Sequence, residues 1–226
     1  MRRTALPGLF VATLVLQSAW VVYTQTPLGP GDRTVSKLPG PLRIEKVKGE
    51  LYVISGEGGN VAVYATGEGV VLVDDMFDRN HADILAQVKT VTDKPLKYVL
   101  NTHQHDDHAG GDLKMLQVAE VVAHRNARAN LADIKQPYYE DTPGTPIGLP
   151  RVTFSDEISV HLGGREVRAK YFGRGHTSGD VIVYFPELGV IHTGDLFLGR
   201  RAGRGGGAPG PGRSNEVVKT RPPGVN

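Results

Sequence analysis

The amino-acid sequence predicts an α/β fold in which two β-rich halves pack as a sandwich with helices outside. Short β-type runs and amphipathic helical patterns follow one another in two successive sets along the chain. Each set contains a β-run that ends in a carboxylate, at Asp74 and at Asp195. Without the N-terminal segment about 200 residues remain, a length that suits one domain with a sizeable core.

The predicted elements follow from hydrophobic spacing and from turn residues. The predicted strands lie at 51–55, 61–66, 70–73, 98–100, 121–122, 158–162, 167–172, 181–185 and 190–192. The predicted helices lie at 80–91, 112–117 and 125–134. Asn80 is the expected N-cap of the first helix, since Asp83 follows three residues later. Gly-rich turns separate the first three strands and predict a meander.

Four segments are predicted along the chain. They are a signal peptide at 1–25, a linker at 26–42, a folded domain at 43–198 and a low-complexity tail at 199–226. The linker is rich in Pro and Gly, and most of the tail is Gly, Pro and Arg, so neither is expected to form a core. Because the strand and helix pattern stops abruptly, we interpret the domain as C-terminally incomplete. A truncated or frameshifted end is our hypothesis for it.

The N-terminal segment has the pattern of an export signal. Arg2 and Arg3 precede an apolar run at 9–16, and small residues follow at Ser18 and Ala19. A retained membrane anchor is the alternative, although the apolar run is shorter than the ~20 residues that a spanning helix needs. We therefore expect an exported protein, periplasmic or secreted, with no stable membrane partner unless the segment is retained.

The distribution of charge argues against nucleic acid as a partner. The formal net charge is +2 and the isoelectric point is near 8.8. Arg2 and Arg3 carry two positive charges and residues 199–226 carry a net five, which leaves −5 for residues 4–198. An acidic body without a basic stripe does not suit phosphate binding. A small-molecule substrate is the expected partner.

Residues 103–108 contain three histidines and two aspartates at the exit of an apolar strand. Cysteine is absent, so a transition metal would have to be held by imidazole and carboxylate groups. In an extended chain His103 and His105 point the same way and can share one ion. Asp107 and His108, beyond the turn, can face a neighbouring ion.

Two later segments supply further candidate ligands. His176 lies in a Gly-rich turn between two predicted strands, from which its side chain can reach a site at the sheet edge. Asp195 follows the strand at 190–192, and a carboxylate there can bridge two cations. Either residue alone would be an ordinary loop residue, so the prediction depends on the motif at 103–108.

With these motifs, residues 42–198 resemble the metallo-β-lactamase superfamily. The resemblance implies a four-layer αββα sandwich of two mixed β-sheets with helices outside. It implies one zinc ion on His103, His105 and His176, and a second on Asp107, His108 and Asp195. Asp74 would support these ligands from behind. Many zinc β-lactamases carry Cys or Ser at the position of Asp195. In having a carboxylate at this position, the chain is more similar to glyoxalase II, lactonases and general hydrolases.

One motif of the family is missing from the sequence. A histidine for the second metal should follow Asp195, yet no histidine occurs after His192. His192 itself is expected to point to the other face of its strand, and His81, His124 and His161 carry no motif. The expected cofactor is therefore one or two Zn²⁺ ions, with iron possible.

The resemblance implies a zinc-dependent hydrolase that attacks an ester-like carbonyl, in a lactone, a thioester or a β-lactam, with a metal-bound hydroxide. Asp107 is the predicted catalytic residue, which would orient the water and receive its proton. Two alternatives stay open from the sequence. One is a mononuclear iron enzyme of the sulfur dioxygenase type, and the other is a truncated, inactive metal-binding protein.

Overall fold

The computed structural model describes residues 41–56, 58–133 and 147–197, together with the backbone of Val217–Lys219. The chain divides into two units, Met1–Leu38 and Pro39–Asn226, and every described residue lies in the second. The predicted signal peptide and nearly all of the predicted linker and tail lie outside the described residues. In the described part of the chain no helix is apolar and long enough to cross a bilayer.

The described residues form strands, four helices and single 3-10 turns. The strands are β1 Arg43–Lys48, β2 Leu51–Ser55, β3 Val61–Ala65, β4 Val70–Val73, β5 Leu96–Leu100, β6 Glu120–His124, β7 Val152–Phe154, β8 Glu157–Leu162, β9 Arg165–Tyr171, β10 Val181–Phe185, β11 Val190–His192 and β12 Val217–Lys219. The helices are α1 His81–Lys89, α2 Asp106–Ala109, α3 Asp112–Met115 and α4 Arg125–Ala132. The 3-10 turns lie at Asp78–Asn80, Pro186–Leu188 and Gly194–Leu196.

Two sheets carry these strands. The first has seven strands in the order β1 to β7, antiparallel from β1 to β4 and parallel from β4 to β7. The second has five antiparallel strands in the order β12-β11-β10-β9-β8. The predicted α/β class with two sheets is thus confirmed.

The main core lies between the two sheets. Strand β3 is buried on both faces, so alternate residues serve different layers. Ala62 and Tyr64 pack toward the second sheet, where the Tyr64 ring meets Phe185 edge-on at a centroid distance of 5.3 Å. Such an aromatic pair adds roughly 0.5–1.5 kcal/mol beyond the burial of area.

Helices cover the opposite face of the first sheet. Val61 and Val63 of β3 belong to a second cluster that includes Ile84 and Val88 of α1. These two helical residues are four positions apart and therefore lie on one face of α1. In the described residues the outer face of the second sheet carries half-exposed charged side chains, such as Arg168.

The structure also contains elements that sequence patterns did not predict. Strand β1 has a mostly exposed, charged sequence, so its hydrophobic alternation is weak, as in many edge strands. Strand β12 lies within the segment interpreted as a low-complexity tail and pairs with β11. Asn80 stands at the N-cap of α1 as predicted, but the expected side-chain hydrogen bond is absent. Asn80 makes no capping hydrogen bond because α1 continues from a 3-10 turn, which holds Asn80 in helical geometry.

Candidate metal centre

The candidate metal centre lies beyond the carboxyl ends of neighbouring parallel strands. Strand β4 leads directly to Asp74, and β5 leads through Asn101 and Thr102 to His103. The carboxyl ends of parallel strands meet at one edge of a sheet, which is where open α/β sheets place ligand sites. The turn before β10 brings in His176, and the 3-10 turn after β11 brings in Asp195.

Four potential ligands converge on one point. The ligand atoms of His103, His105, His176 and Asp195 all lie within 4.8 Å of one another. Nδ1 of His105 is 3.0 Å from Nε2 of His176, which is 3.4 Å from Oδ2 of Asp195. Two ligand atoms on a tetrahedral zinc ion with bonds of about 2.0–2.1 Å are about 3.4 Å apart. The separations of 3.0 and 3.4 Å therefore suit ligands of a single cation.

A second group of ligand atoms adjoins the first. Nε2 of His108 lies 3.3 Å from Oδ1 of Asp195 and 3.6 Å from Oδ2 of Asp107. Asp195 thus presents one oxygen to each group. The structure brings together all six residues that the sequence motifs singled out, and their role as metal ligands stays a prediction.

The environment of His103 fits a bound cation. The residue is fully buried, and its Nδ1 lies 3.0 Å from Oγ1 of Thr102. Its Nε2 is buried and has no hydrogen-bond partner among the described residues. A buried polar atom without a partner costs roughly 1–3 kcal/mol, and a cation on Nε2 would remove this cost. Imidazole nitrogens with a carboxylate form a donor set that zinc accepts.

Burial keeps two imidazoles of the first group, those of His103 and His105, neutral. Burial lowers the pKa of His103 well below its usual value, and the neighbouring His108 and His105 add to this effect. Burial, with repulsion from His176 and His108, lowers the pKa of His105 to about 4. Only a neutral imidazole has a lone pair for a metal, so both side chains are prepared for ligation at neutral pH.

The second group responds differently, because its carboxylates face His108. Burial alone would lower the pKa of His108, but Asp74, Asp195 and Asp107 raise it well above its usual value. Burial opposes ionisation of Asp195, but its hydrogen bond and ion pair with His108 lower the pKa of this carboxyl group. Burial raises the pKa of Asp107. A proton on His108 thus balances the negative charge of these carboxylates. A second cation would balance the same charge when it binds.

Asp74 supports the centre from behind. It is fully buried and holds a left-handed backbone conformation with φ of 64°. Its Oδ1 accepts a hydrogen bond from the backbone N–H of Thr102 at 2.7 Å. Its Oδ2 lies 2.8 Å from both Oγ1 of Thr102 and Nδ1 of His108. These contacts agree with the supporting role that the resemblance implies.

The glycine-rich turn between β2 and β3 also contacts the centre, a contact that its sequence pattern does not predict. The backbone N–H of Gly59 donates to the carbonyl oxygen of Asp107 at 3.1 Å. A Cβ atom on Gly59 would lie 2.4 Å from Cε1 of His108. Only glycine allows this close approach, and no local pattern indicates it.

The turn that carries His176 is held from two directions. Asp180 accepts hydrogen bonds from the backbone N–H and the hydroxyl of Thr177 at 2.6 and 2.7 Å. Helix α4 holds the next residue, since Nδ2 of Asn126 donates to the carbonyl oxygen of Ser178 at 2.8 Å. His176 therefore projects from an anchored turn although it is an exposed residue.

His192 does not face away from the centre, so that expectation is wrong. The side chain is fully buried, and it lies close enough to Asp74 and His108 for their charges to affect its pKa, which burial lowers. Its Nε2 lies 3.2 Å from the carbonyl oxygen of Asn60, and its Nδ1 accepts from the N–H of Gly194 at 3.3 Å. His192 thus joins the β2–β3 turn to the turn that carries Asp195.

Known proteins with related sequences show the class of this protein. A model of the metallo-beta-lactamase superfamily matches residues 54–222, so the chain belongs to this superfamily. The chain is 33% identical over 152 residues to the metallo-beta-lactamase type 2 of Bacillus cereus, covering 65% of this chain and 55% of that protein. It is 28% identical over 144 residues to the metallo-beta-lactamase IND-1 of Chryseobacterium indologenes, covering 63% and 56%. The chain thus spans little more than half the length of these relatives.

Solved structures support the fold. A metallo-beta-lactamase from Pontibacter korlensis superimposes with a TM-score of 0.56 at 24% identity, covering 66% of this chain and 69% of that chain. The FEZ-1 metallo-beta-lactamase from Legionella gormanii gives the same TM-score and identity, covering 66% of this chain and 59% of that chain. The two-sheet fold implied by the resemblance is thereby confirmed.

Proposed function

We propose that the protein is a zinc-dependent hydrolase that cleaves an ester-like carbonyl compound, namely a lactone, a thioester or a β-lactam. The observation that carries the proposal is the convergence of His103, His105, His176 and Asp195 within 4.8 Å. The relatives named above as metallo-beta-lactamases add support for the β-lactam option. The carboxylate at Asp195 favours the lactone and thioester options, by its similarity to glyoxalase II and lactonases.

The chain's own residues supply positioning and proton transfer. When bound, zinc would lower the pKa of a water molecule toward neutrality and polarise the substrate carbonyl. The carboxylate of Asp107 keeps 30% of its side-chain surface exposed, and burial raises its pKa, which improves it as a proton acceptor. In the hydrolysis, water oxygen bonds to the carbonyl carbon and the bond to the leaving group breaks. Asp107 takes one proton from water and returns it to the leaving atom.

The exposed side of the centre gives the direction of substrate approach. The side chains of His176 and Asp195 keep 33% and 18% of their surface exposed, whereas His108 keeps none. Substrate therefore enters beside His176. Leu196 and Phe197, which directly follow Asp195, are also exposed and offer apolar surface at this entrance.

Metal analysis separates the zinc hydrolase from the iron alternative, because three imidazoles and a carboxylate suit either metal. The purified protein would be freed of metal by chelation, reloaded with zinc or iron(II) and passed through a desalting column before mass spectrometry. Retained zinc with hydrolytic activity supports the proposal. Iron retention with oxygen uptake on a small thiol would replace it, and retention of metal with neither activity indicates the inactive metal-binding protein.

A substrate panel of a chromogenic cephalosporin, a lactone and a thioester tests hydrolysis directly. The His105→Ala variant should lose both zinc and hydrolysis, because it lacks one imidazole of the first group. His161→Ala is the matched control, since His161 lies on β8, exposed and outside the group of ligand atoms. Equal activity of His105→Ala and the parent protein would refute the proposal.

Export, a small-molecule substrate and the absence of a nucleic-acid partner belong to the same proposal. Export rests on the charged and apolar pattern of residues 1–25. N-terminal sequencing of protein recovered from the periplasm or medium would test it. A mature N-terminus near residue 25 supports cleavage, and recovery of the intact N-terminus in the membrane fraction indicates the anchor.

A further inference from the structure

Thr102 occupies a buried position between Asp74 and the metal centre. The residue is 1% exposed and lies between β5 and His103. Its backbone N–H donates to Oδ1 of Asp74, and its carbonyl oxygen accepts from the N–H of Val181 at 2.9 Å. These contacts fix the backbone of Thr102 from both sheets, so its side chain has a defined position.

The hydroxyl of Thr102 makes two contacts but has only one hydrogen. Oγ1 lies 2.8 Å from Oδ2 of Asp74 and 3.0 Å from Nδ1 of His103. The hydroxyl donates this hydrogen to Oδ2 of Asp74. Oγ1 must then accept from His103, which places the imidazole hydrogen on Nδ1. The lone pair of His103 is consequently on Nε2, the buried nitrogen without a hydrogen-bond partner among the described residues.

In His108, too, a hydrogen-bond partner fixes which ring nitrogen carries hydrogen, here through direct contact with Asp74. Its Nδ1 is 2.8 Å from Oδ2 of Asp74, so this nitrogen also carries hydrogen. Its Nε2 is the atom that faces Asp195 and Asp107. One carboxylate thus orients a histidine of each predicted ligand group, reaching His108 directly and His103 through Thr102.

The turn of Asp195 closes over this arrangement. Gly194 has a φ of +52°, and a Cβ atom on it would lie 2.6 Å from Oγ1 of Thr102. The backbone of Gly194 therefore covers the Thr102 hydroxyl, and a larger residue there has no room. The hydroxyl is thereby confined to the partners already named.

We propose that Thr102 is a positioning residue that relays the orientation of Asp74 to His103 and thereby sets which nitrogen of His103 binds metal. The proposal rests on the metal site of the proposed function. Removing the hydroxyl should lower zinc affinity by about 10–100-fold, the usual effect of losing a group that orients a metal ligand. Asp74→Asn should weaken binding at least as much, because the amide has only one acceptor oxygen in place of the two that serve Thr102 and His108.

The first test measures the imidazole tautomer in the metal-free parent protein, without any substitution. Long-range proton–nitrogen NMR correlations of the His103 ring, assigned by comparison with His103→Gln, should show hydrogen on Nδ1. Hydrogen on Nε2 would overturn the proposal. This readout is independent of catalysis, so a protein with the expected tautomer and no hydrolysis would refute the proposed function alone.

The second test compares Thr102→Val, which removes the hydroxyl with little change of shape, with Thr102→Ser, which keeps it. Zinc affinity would be measured by competition with a chromophoric chelator. We expect the loss in Thr102→Val and recovery to within a few-fold of the parent in Thr102→Ser. Thr66→Val is the control, since the Thr66 hydroxyl bonds within its own turn. Unchanged affinity in Thr102→Val, or equal losses in both Thr102 variants, would overturn the proposal.

Discussion

The two sides of the metal centre differ in how closely the protein encloses them. The inner side consists of His103 and His108, which are fully buried and supported by Asp74 and Thr102. The outer side consists of His176 and Asp195, whose side chains stay partly exposed. One site can thus combine fixed orientation of the ligands with access for a substrate. The inner side determines which atoms face a cation, and the outer side admits the substrate.

The largest expected effect follows from removing one predicted ligand on either side. It tests whether the exposed outer side is needed for activity. His176→Ala and His103→Ala should each lower kcat/KM by more than about 100-fold, because a lost ligand costs more than a lost support. Steady-state kinetics at fixed zinc and metal content after desalting would measure this. Parent-level zinc content in His176→Ala would exclude the outer side from the centre.

Alanine substitutions at two glycines compare a rigid neighbouring side chain with a flexible one. Gly59→Ala places Cβ 2.4 Å from the buried His108 ring, and displacement of a site by about 1 Å costs about 100-fold in rate. Gly175→Ala places Cβ 2.3 Å from Cδ2 of Leu196, the end of an exposed side chain, and 3.2 Å from Oδ2 of Asp180, so small shifts suffice and we expect a change of a few-fold.

Rates and circular dichroism of the Gly59 and Gly175 variants should be compared with those of Gly67→Ala. A Cβ atom on Gly67 meets nothing within 4 Å, so this variant should behave as the parent protein. Equal rates for Gly59→Ala and Gly175→Ala would show that the inner side is as adaptable as the outer side.

A pair of buried carboxyl groups makes the region near the inner side sensitive to pH. Burial raises the pKa of Asp112 to about 7, and burial with the nearby Asp112 raises that of Asp75 well above its usual value. The folded state therefore holds protons that the unfolded state releases near pH 4, so stability falls as pH rises from about 4 to beyond 7.

Asp112→Asn should flatten this pH dependence. The amide can still accept from Nδ2 of Asn101, which donates to Asp112 at 2.7–2.8 Å, and it removes one buried negative charge. We expect a gain of about 1–3 kcal/mol in the free energy of unfolding at pH 8, with little change at pH 5. Urea denaturation of the metal-free proteins at both pH values would measure it, and an unchanged slope with pH would contradict the assignment.

The smallest expected effect lies at an exposed ring in the segment that leads to His176. Phe172, four residues before His176, is 69% exposed. Phe172→Ala should change the free energy of unfolding by less than about 0.5 kcal/mol, as is usual for exposed positions. If substrate passes this ring, KM for an apolar substrate rises a few-fold while kcat is unchanged. A loss of stability above 1 kcal/mol would show that the ring is packed after all.

Local patterns were sufficient for much of the fold and for the candidate ligands. Strands such as β3 and β10 match the predicted runs to within a residue, because buried β-branched residues repeat over a short stretch. The motif at residues 103–108 is equally local, since its spacing alone places two imidazoles on one face of an extended chain. Strand β1 was not predicted because its many charged residues weaken the alternation of apolar and polar residues.

The positions of the hydrophobic runs, the donor types of the site and the family resemblance could all be predicted from the sequence, since these depend on neighbouring residues. Tertiary structure alone decided the contacts between distant segments. Asp74 meets Thr102 across 28 positions, and His105 meets His176 across 71. Hydrogen-bond roles depend on which donors and acceptors face each other in space, and packing of two sheets brings these groups together.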